Sequence, residues 1–143
     1  MRKYFFTALL PLLLSSCEVE AIVPGQNVPA EITSYLEKHF PKNPVLQTVK
    51  DVDGLELTYD ITLKEGVFVE FNRSKEVIDI ESTTQLPESV IPAKLAEFVA
   101  ANYSGSFIVG WEKEGRNQQI KLNSGIELEF NSKGEFLRID SLN

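Results

Sequence analysis

The sequence predicts an α+β protein: one amphipathic helix followed by a four-stranded antiparallel sheet, with this unit used twice in tandem. Three observations carry that expectation. The stretch Val28–Phe40 recurs at Ile91–Tyr103, an offset of 63 residues. Residues 61–82 share nine identities with residues 120–141 (Ile61, Leu63, Gly66, Glu70, Phe71, Asn72, Glu76, Ile80 and Ser82), where unrelated segments would share about one or two. After each predicted helix, apolar and polar residues alternate with period two, the spacing of a half-buried strand.

The chain has 143 residues, 43% hydrophobic and 24% charged, which is the composition of one ordinary globular domain. It opens on a secretory pattern: Arg2 and Lys3 precede the apolar run from Tyr4 to Leu14. That run is shorter than the ~20 residues needed to span a bilayer, and Pro11 interrupts it. The run closes on Leu14-Ser15-Ser16-Cys17, which resembles a bacterial lipoprotein signal and contains the only cysteine. The resemblance implies cleavage after residue 16 and a diacylglyceryl group on Cys17. Buried acyl chains contribute about 0.8 kcal/mol per CH₂, so several chains anchor firmly. Loss of Arg2 and Lys3 takes the net charge from −7 to −9. Anionic headgroups repel such a body, so the lipid alone is expected to hold it at the membrane. Residues 17–27, with Pro24-Gly25, read as a tether.

The first unit is expected over 28–82. Ile32, Tyr35, Leu36 and Phe40 fall on one helical face, with Pro29 suited to the first turn and Pro41 ending the helix. Leu55, Leu57, Tyr59, Ile61 and Leu63 are expected on one sheet face, with Glu56, Thr58, Asp60 and Thr62 on the other. Asp53-Gly54, Glu65-Gly66, Ser124-Gly125 and Lys133-Gly134 supply turns. Residues 83–90 link the units. The second unit, 91–143, repeats the order: Leu95, Phe98, Val99 and Tyr103 on the helix, then Ile126, Leu128 and Phe130 facing inward while Glu127 and Glu129 face outward. Between the matched segments the offset falls from 63 to 59, so the first copy holds four extra residues between Asp51 and Asp60. An even insertion lengthens a hairpin without changing which residues face inward. Each unit alone buries little, so both helices are expected on one face of a shared structure, leaving the other sheet face open.

Charge and composition exclude several functions. The acidic balance lacks the clustered Lys and Arg that nucleic acid requires. One cysteine and one histidine cannot build an internal disulfide or a Cys/His zinc site. No phosphate loop, dinucleotide fingerprint or nucleophile elbow is present. His39, near the end of the first helix, reads as a surface or boundary residue. Asp51-Val52-Asp53-Gly54 has the look of a calcium loop, but Val49 and Asp60 would occupy its first and last ligand positions, where Asp and Glu are needed. A polar hairpin turn is expected there, and no metal or cofactor. The carboxylates are placed as solvating groups, so no enzyme is expected. A carboxylate-based hydrolase is the remotest alternative.

What remains is surface. The candidate partner-binding face is assigned to Phe68, Trp111, Glu127, Glu129, Phe136 and Arg138, since exposed aromatic and Arg side chains are enriched at binding hot spots. Phe136 is placed outward beside Arg138 because Leu137 and Ile139 are expected to face in.

The segments Val28-Pro29-Ala30 to Phe40-Pro41, the Lys50–Gly54 turn, and the Gly-apolar-x-apolar-Glu-Phe-Asn strands at 66–72 and 125–131 resemble the PepSY-like, or β-lactamase-inhibitor-like, proteins of the bacterial envelope. The resemblance implies a fold similar to β-lactamase inhibitory protein, with tandem helix-plus-sheet units offering a sheet face to a partner. It implies no catalytic residues. The function expected is thus a lipid-anchored envelope module, periplasmic or at the cell surface. It would bind an envelope or extracellular protein through its open sheet face. The alternative is a small-ligand or glycan receptor that uses Trp111 as a stacking platform.

Overall fold

The computed structural model describes residues 18–140, so the leader and Cys17 lie outside the described residues. Two ten-residue helices, α1 (Ala30–His39) and α2 (Ala93–Asn102), begin and end alike. Pro29 and Pro92 precede them with φ of −53° and −56°, the value their rings fix in advance. Each helix stops at an aromatic residue: the Phe40 N–H donates to Leu36 O and the Tyr103 N–H to Val99 O, both at 2.8 Å. Ile32 and Leu36 on α1, and Leu95 and Val99 on α2, are the buried positions, four apart and hence on one face.

The strands form a single nine-stranded antiparallel sheet in chain order. They are β1 (Glu18–Ile22), β2 (Val45–Asp53), β3 (Glu56–Leu63), β4 (Val67–Phe71), β5 (Val77–Ser82), β6 (Ile108–Glu114), β7 (Asn117–Leu122), β8 (Glu127–Phe130) and β9 (Phe136–Asp140). The α1 helix lies before β2 and α2 before β6. The β5–β6 pairing (Asp79↔Glu112, Ile80↔Trp111, Glu81↔Gly110) carries the sheet from the first unit into the second.

Register assigns the faces. Ile61, Val69, Ile80, Trp111, Ile120, Leu128 and Ile139 are direct cross-strand partners in one continuous row. Ile61, Val69, Ile80, Ile120 and Leu128 share one core cluster with Ile32 and Leu36 of α1 and Leu95 and Val99 of α2. Both helices therefore contribute to the same core. Equivalent aromatic pairs mark it twice: Tyr35 meets Phe71 edge-on at 5.5 Å, and Phe98 meets Phe130 edge-on at 5.2 Å, the favoured ring geometry.

The four extra residues of the first copy lie in the β2–β3 hairpin, whose strands are nine and eight residues long, against seven and six in β6–β7. Both hairpins close on two residues between the pairs Asp53↔Glu56 and Glu114↔Asn117. Gly54 and Gly115 occupy the first loop position at φ of +58° and +57°, which an L side chain rarely tolerates. Leu55, expected in the inward-facing row, stands instead at this loop tip, 90% exposed.

The segment expected to be a tether differs too. Residues 18–22 form β1, paired with β2 from Glu18↔Asp53 to Ile22↔Val49, and a 3-10 turn follows at Gly25–Asn27. The alternation Glu18-Val19-Glu20-Ala21 meets the otherwise bare edge of β2, where unpaired N–H and C=O groups invite a strand.

Phe71→Ala and Phe130→Ala each remove a fully buried ring from one copy of the core. Each is expected to cost about 3–5 kcal/mol in urea denaturation. A loss below about 1 kcal/mol from either would show that the two aromatic pairs are not core contacts.

Candidate functional site

The side of the sheet away from the helices is a carpet of carboxylates. One row runs Asp60, Glu70, Asp79, Glu112, Gln119, Glu129 and Arg138, each directly opposite the next across β3 to β9. A second runs Thr62, Phe68, Glu81, Gly110, Lys121, Glu127 and Asp140. Period two explains the placement, because Asp60 and Thr62 alternate with Ile61 and Leu63, and Glu70 with Val69 and Phe71. Among the described strand residues of this face, Lys121 and Arg138 are the cations.

Both cations stand on strands of the second unit. The Arg138 guanidinium lies 2.7 Å from Glu129 Oε2, and Asn117 Nδ2 donates to Glu129 Oε1 at 2.6 Å. Lys121 reaches back across Gly110 to Glu81 at 3.5 Å. A Cβ at Gly110 would stand 3.0 Å from the Lys121 Cβ, so the glycine leaves room for that reach. The exposed Lys121–Glu81 pair is worth little by itself.

The row that begins at Asp60 has no such compensation within the first unit. Asp79 occupies the position where the second unit has Arg138, so Asp60, Glu70, Asp79 and Glu112 stand side by side on four neighbouring strands. Directly opposed side chains lie about 5 Å apart at Cβ, and like charges there are destabilising. Burial, then Glu81, Glu112 and Glu70, pushes the Asp79 carboxyl up to about 7, against a small lowering by the Ile80 N–H. Glu70 is raised by burial, then by Asp60, Glu112, Asp51 and Glu56. Asp60 is raised by burial and by Asp51 and Glu20, with Thr58 opposing. Glu112 is raised by burial, Glu114, Glu81 and Glu127. A dimple of about 40 Å³ over Gly110, lined by Asp79, Glu81, Glu112, Lys121 and Glu127, marks the centre of the face.

The expected site residues divide between the two sides. Phe68, Glu127, Glu129 and Arg138 are on the open face. Glu129 was expected to face solvent, but its partners leave it only 7% exposed. Trp111 and Phe136 lie on the helix side. Trp111 pairs with Ile80 and Ile120, packs against the core, and its indole N–H donates to Gln118 Oε1 at 3.1 Å. Phe136 stacks on Phe98 of α2 at 4.7 Å. A β-bulge causes this second correction. Glu129 pairs with Arg138 and Phe130 with Phe136, so Leu137 is the extra residue and the inward alternation breaks there. The same shift occurs between Glu70 and Phe71 in the first unit. Strict alternation could not find it, although its recurrence in both copies is a signal that the repeat alignment contains.

His39 ends α1 and exchanges a hydrogen bond with Ser89 Oγ at 2.9 Å through Nδ1. Burial, then Lys38, pushes its pKa down. The stretch from Asp51 to Gly54 closes the β2–β3 hairpin. Among the described residues, no three His, Cys, Asp or Glu side chains are grouped to hold a metal ion. Among them, too, no helix is long and apolar enough to cross a membrane.

Fold and face together define a tandem α+β protein with one sheet side filled by a helix-bearing core and the other open and acidic. The chain belongs to the family described as "Putative beta-lactamase-inhibitor-like, PepSY-like", which it matches twice, over residues 16–73 and 57–138. No curated protein matches it. Crystal structures with the same fold include one described as a putative periplasmic protein from the DUF2874 family of Bacteroides vulgatus ATCC 8482, at 22% identity and a TM-score of 0.80, covering 85% of this chain and 97% of that one. A second, from Bacteroides thetaiotaomicron, is described as a putative calcium-regulated periplasmic protein; it has 23% identity and a TM-score of 0.81, with coverage of 85% and 97%. A third, described as a putative periplasmic protein of unknown function from Bacteroides vulgatus ATCC 8482, has 25% identity and a TM-score of 0.79, with coverage of 87% and 100%.

The crowded carboxylates make stability pH-dependent. Folded Asp79 keeps its proton up to about pH 7, whereas its ordinary value is 3.8. Between those values the folded chain binds more protons than the unfolded one, so stability falls as pH rises. Asp60, Glu70 and Glu112 act in the same direction; His39, shifted down, acts against them. Thermal unfolding is expected at a higher temperature at pH 5 than at pH 7.5. Asp79→Asn is expected to raise the pH 7.5 value and flatten the profile. A melting temperature that climbs from pH 5 to 7.5 in the unaltered protein would contradict this account.

Proposed function

We propose that this protein is a non-enzymatic, lipid-anchored module of the bacterial envelope that binds a protein through its open sheet face. The partner surface it fits is cationic, rich in Lys and Arg. The observation that carries this reading is the row of four adjacent carboxylates, Asp60, Glu70, Asp79 and Glu112, left without a cation between them. A chain bears such crowding at a cost in stability, and a cationic partner would relieve it. Complementary charge also speeds encounter and selects the partner. Phe68, partly buried among polar neighbours on the same face, supplies an apolar anchor, the kind of residue that dominates interface energetics. Glu127 and the Glu129–Arg138 pair form the polar rim. The secretory start, the Leu14–Cys17 sequence and the periplasmic descriptions of the similar structures support the envelope location. The raised Asp79 pKa reads as burial with like-charge crowding and not as acid–base chemistry.

Two experiments test this. In cells of the native organism, Cys17→Ser is expected to move the protein from the membrane fraction to the soluble fraction; unchanged membrane association would remove the lipid anchor from the proposal. The soluble chain from Glu18 onward, immobilised, is expected to capture a basic envelope protein that 0.5 M salt releases, since exposed charge pairs are screened. Phe68→Asp together with Glu127→Lys is expected to weaken that capture at least tenfold. Equal capture by the variant, or capture indifferent to salt, would place the partner elsewhere.

A further inference from the structure

We propose that a second site lies on the opposite, helix-bearing side of the sheet, in the cleft floored by Trp111, and that its ligand is an acidic saccharide. The cleft encloses about 560 Å³, within the range of about 300–1,000 Å³ usual for small-molecule sites. Its lining includes Glu76, Trp111, Lys113, Arg116, Gln118 and Ser132. Glu76 and Ser132 come from two equivalent turns of the repeat. In the first, Asn72 Oδ1 accepts the N–H groups of Ser74 and Glu76 at 2.9 and 3.1 Å. In the second, Asn131 Oδ1 accepts those of Lys133 and Glu135 at 2.9 and 3.0 Å. Both walls are thus held by their own side chains. The floor is tied to one of them, because Gln118 accepts the Trp111 indole N–H and donates to Asn131 O at 3.4 Å. The cleft exists only because the units are joined: Trp111 is on β6 of the second copy and Glu76 belongs to the first.

The chemistry of the lining selects the ligand. One large aromatic surface stands among amide, hydroxyl and carboxylate groups and two exposed cations, Lys113 and Arg116. An apolar ligand is better served by the other large cleft, about 370 Å³ against α1, whose lining includes Val28, Leu36, Phe40, Pro41 and Val45. A pyranose has a C–H face for an aromatic platform and a rim of hydroxyls for hydrogen bonds. Lys113 and Arg116, in a chain of net negative charge, add a place for a sugar carboxylate, where charge-assisted hydrogen bonds are the strong ones. The open face repels the same ligand, so the two sides of the sheet take opposite charges and this site stands or falls independently of the protein-binding face.

Trp111 is the only tryptophan in the chain, so its fluorescence reports on the cleft directly. The soluble chain from Glu18 onward contains every described element and is titrated with oligogalacturonate and with hyaluronan hexasaccharide. Maltohexaose serves as the neutral comparison and poly-L-glutamate as the non-sugar polyanion. The expected result is a saturable change in Trp111 emission with at least one acidic saccharide, at least tenfold weaker with maltohexaose and with poly-L-glutamate. Lys113→Gln with Arg116→Gln alters only exposed side chains and is expected to weaken the acidic saccharide at least tenfold, while Phe68→Asp leaves it unchanged. The proposal is overturned by silence with both acidic saccharides, by equal affinity for the neutral sugar or for poly-L-glutamate, or by equal affinity in the double variant.

Discussion

The pairing of β5 with β6 is the contact on which the rest of the structure depends. It brings the last strand of one unit against the first full strand of the next and sets Ile80 opposite Trp111. A helix and four strands bury too little to be stable by themselves. Once the sheet runs on through this pair, the row from Ile61 to Leu128 becomes continuous and both helices share one core. The same three pairs create every unusual feature of the surface. They place Asp79 opposite Glu112, leave Gly110 as the floor of the acidic dimple, and seat Trp111 between the turns of the two copies.

Repetition with divergence explains why the two halves of the open face differ. Asp79 and Arg138 occupy equivalent positions beside equivalent glutamates, Glu70 and Glu129. One substitution of charge sign turns a neutralised pair into a run of four carboxylates. Glu129 in the second unit is satisfied internally through Asn117 and Arg138. The run from Asp60 to Glu112 keeps its charge, and burial together with that charge raises its carboxyl pKa values. Fold alone does not specify function; here the asymmetry between copies is more informative than their likeness.

The helix positions, the turn glycines and the direction of the lengthened hairpin were legible because each is a local signal: apolar spacing, proline, and an even change of offset. Phe68, Glu127 and Arg138 were legible as open-face residues for the same reason. Phe136 and Trp111 were not. Phe136 sits after a bulge, and one extra residue reverses a period-two pattern beyond it. Trp111 stands between Gly110 and Glu112 in sequence, which does not fix its side, and its cross-strand neighbours Ile80 and Ile120 assign it to the helix side. The tether became β1 because a four-residue alternation is too short to stand out until an unpaired strand edge is known to be waiting for it.

The sequence by itself determined the doubled unit, the segments that alternate, the residues that turn, and the acidic balance of the whole. These are properties of single strands and helices, written in spacing along the chain. Only the tertiary structure decided which carboxylates crowd together, which aromatic lies on which side, and where a cleft opens. Those depend on register between strands far apart in sequence, and a shift of one residue in register exchanges one face of a strand for the other.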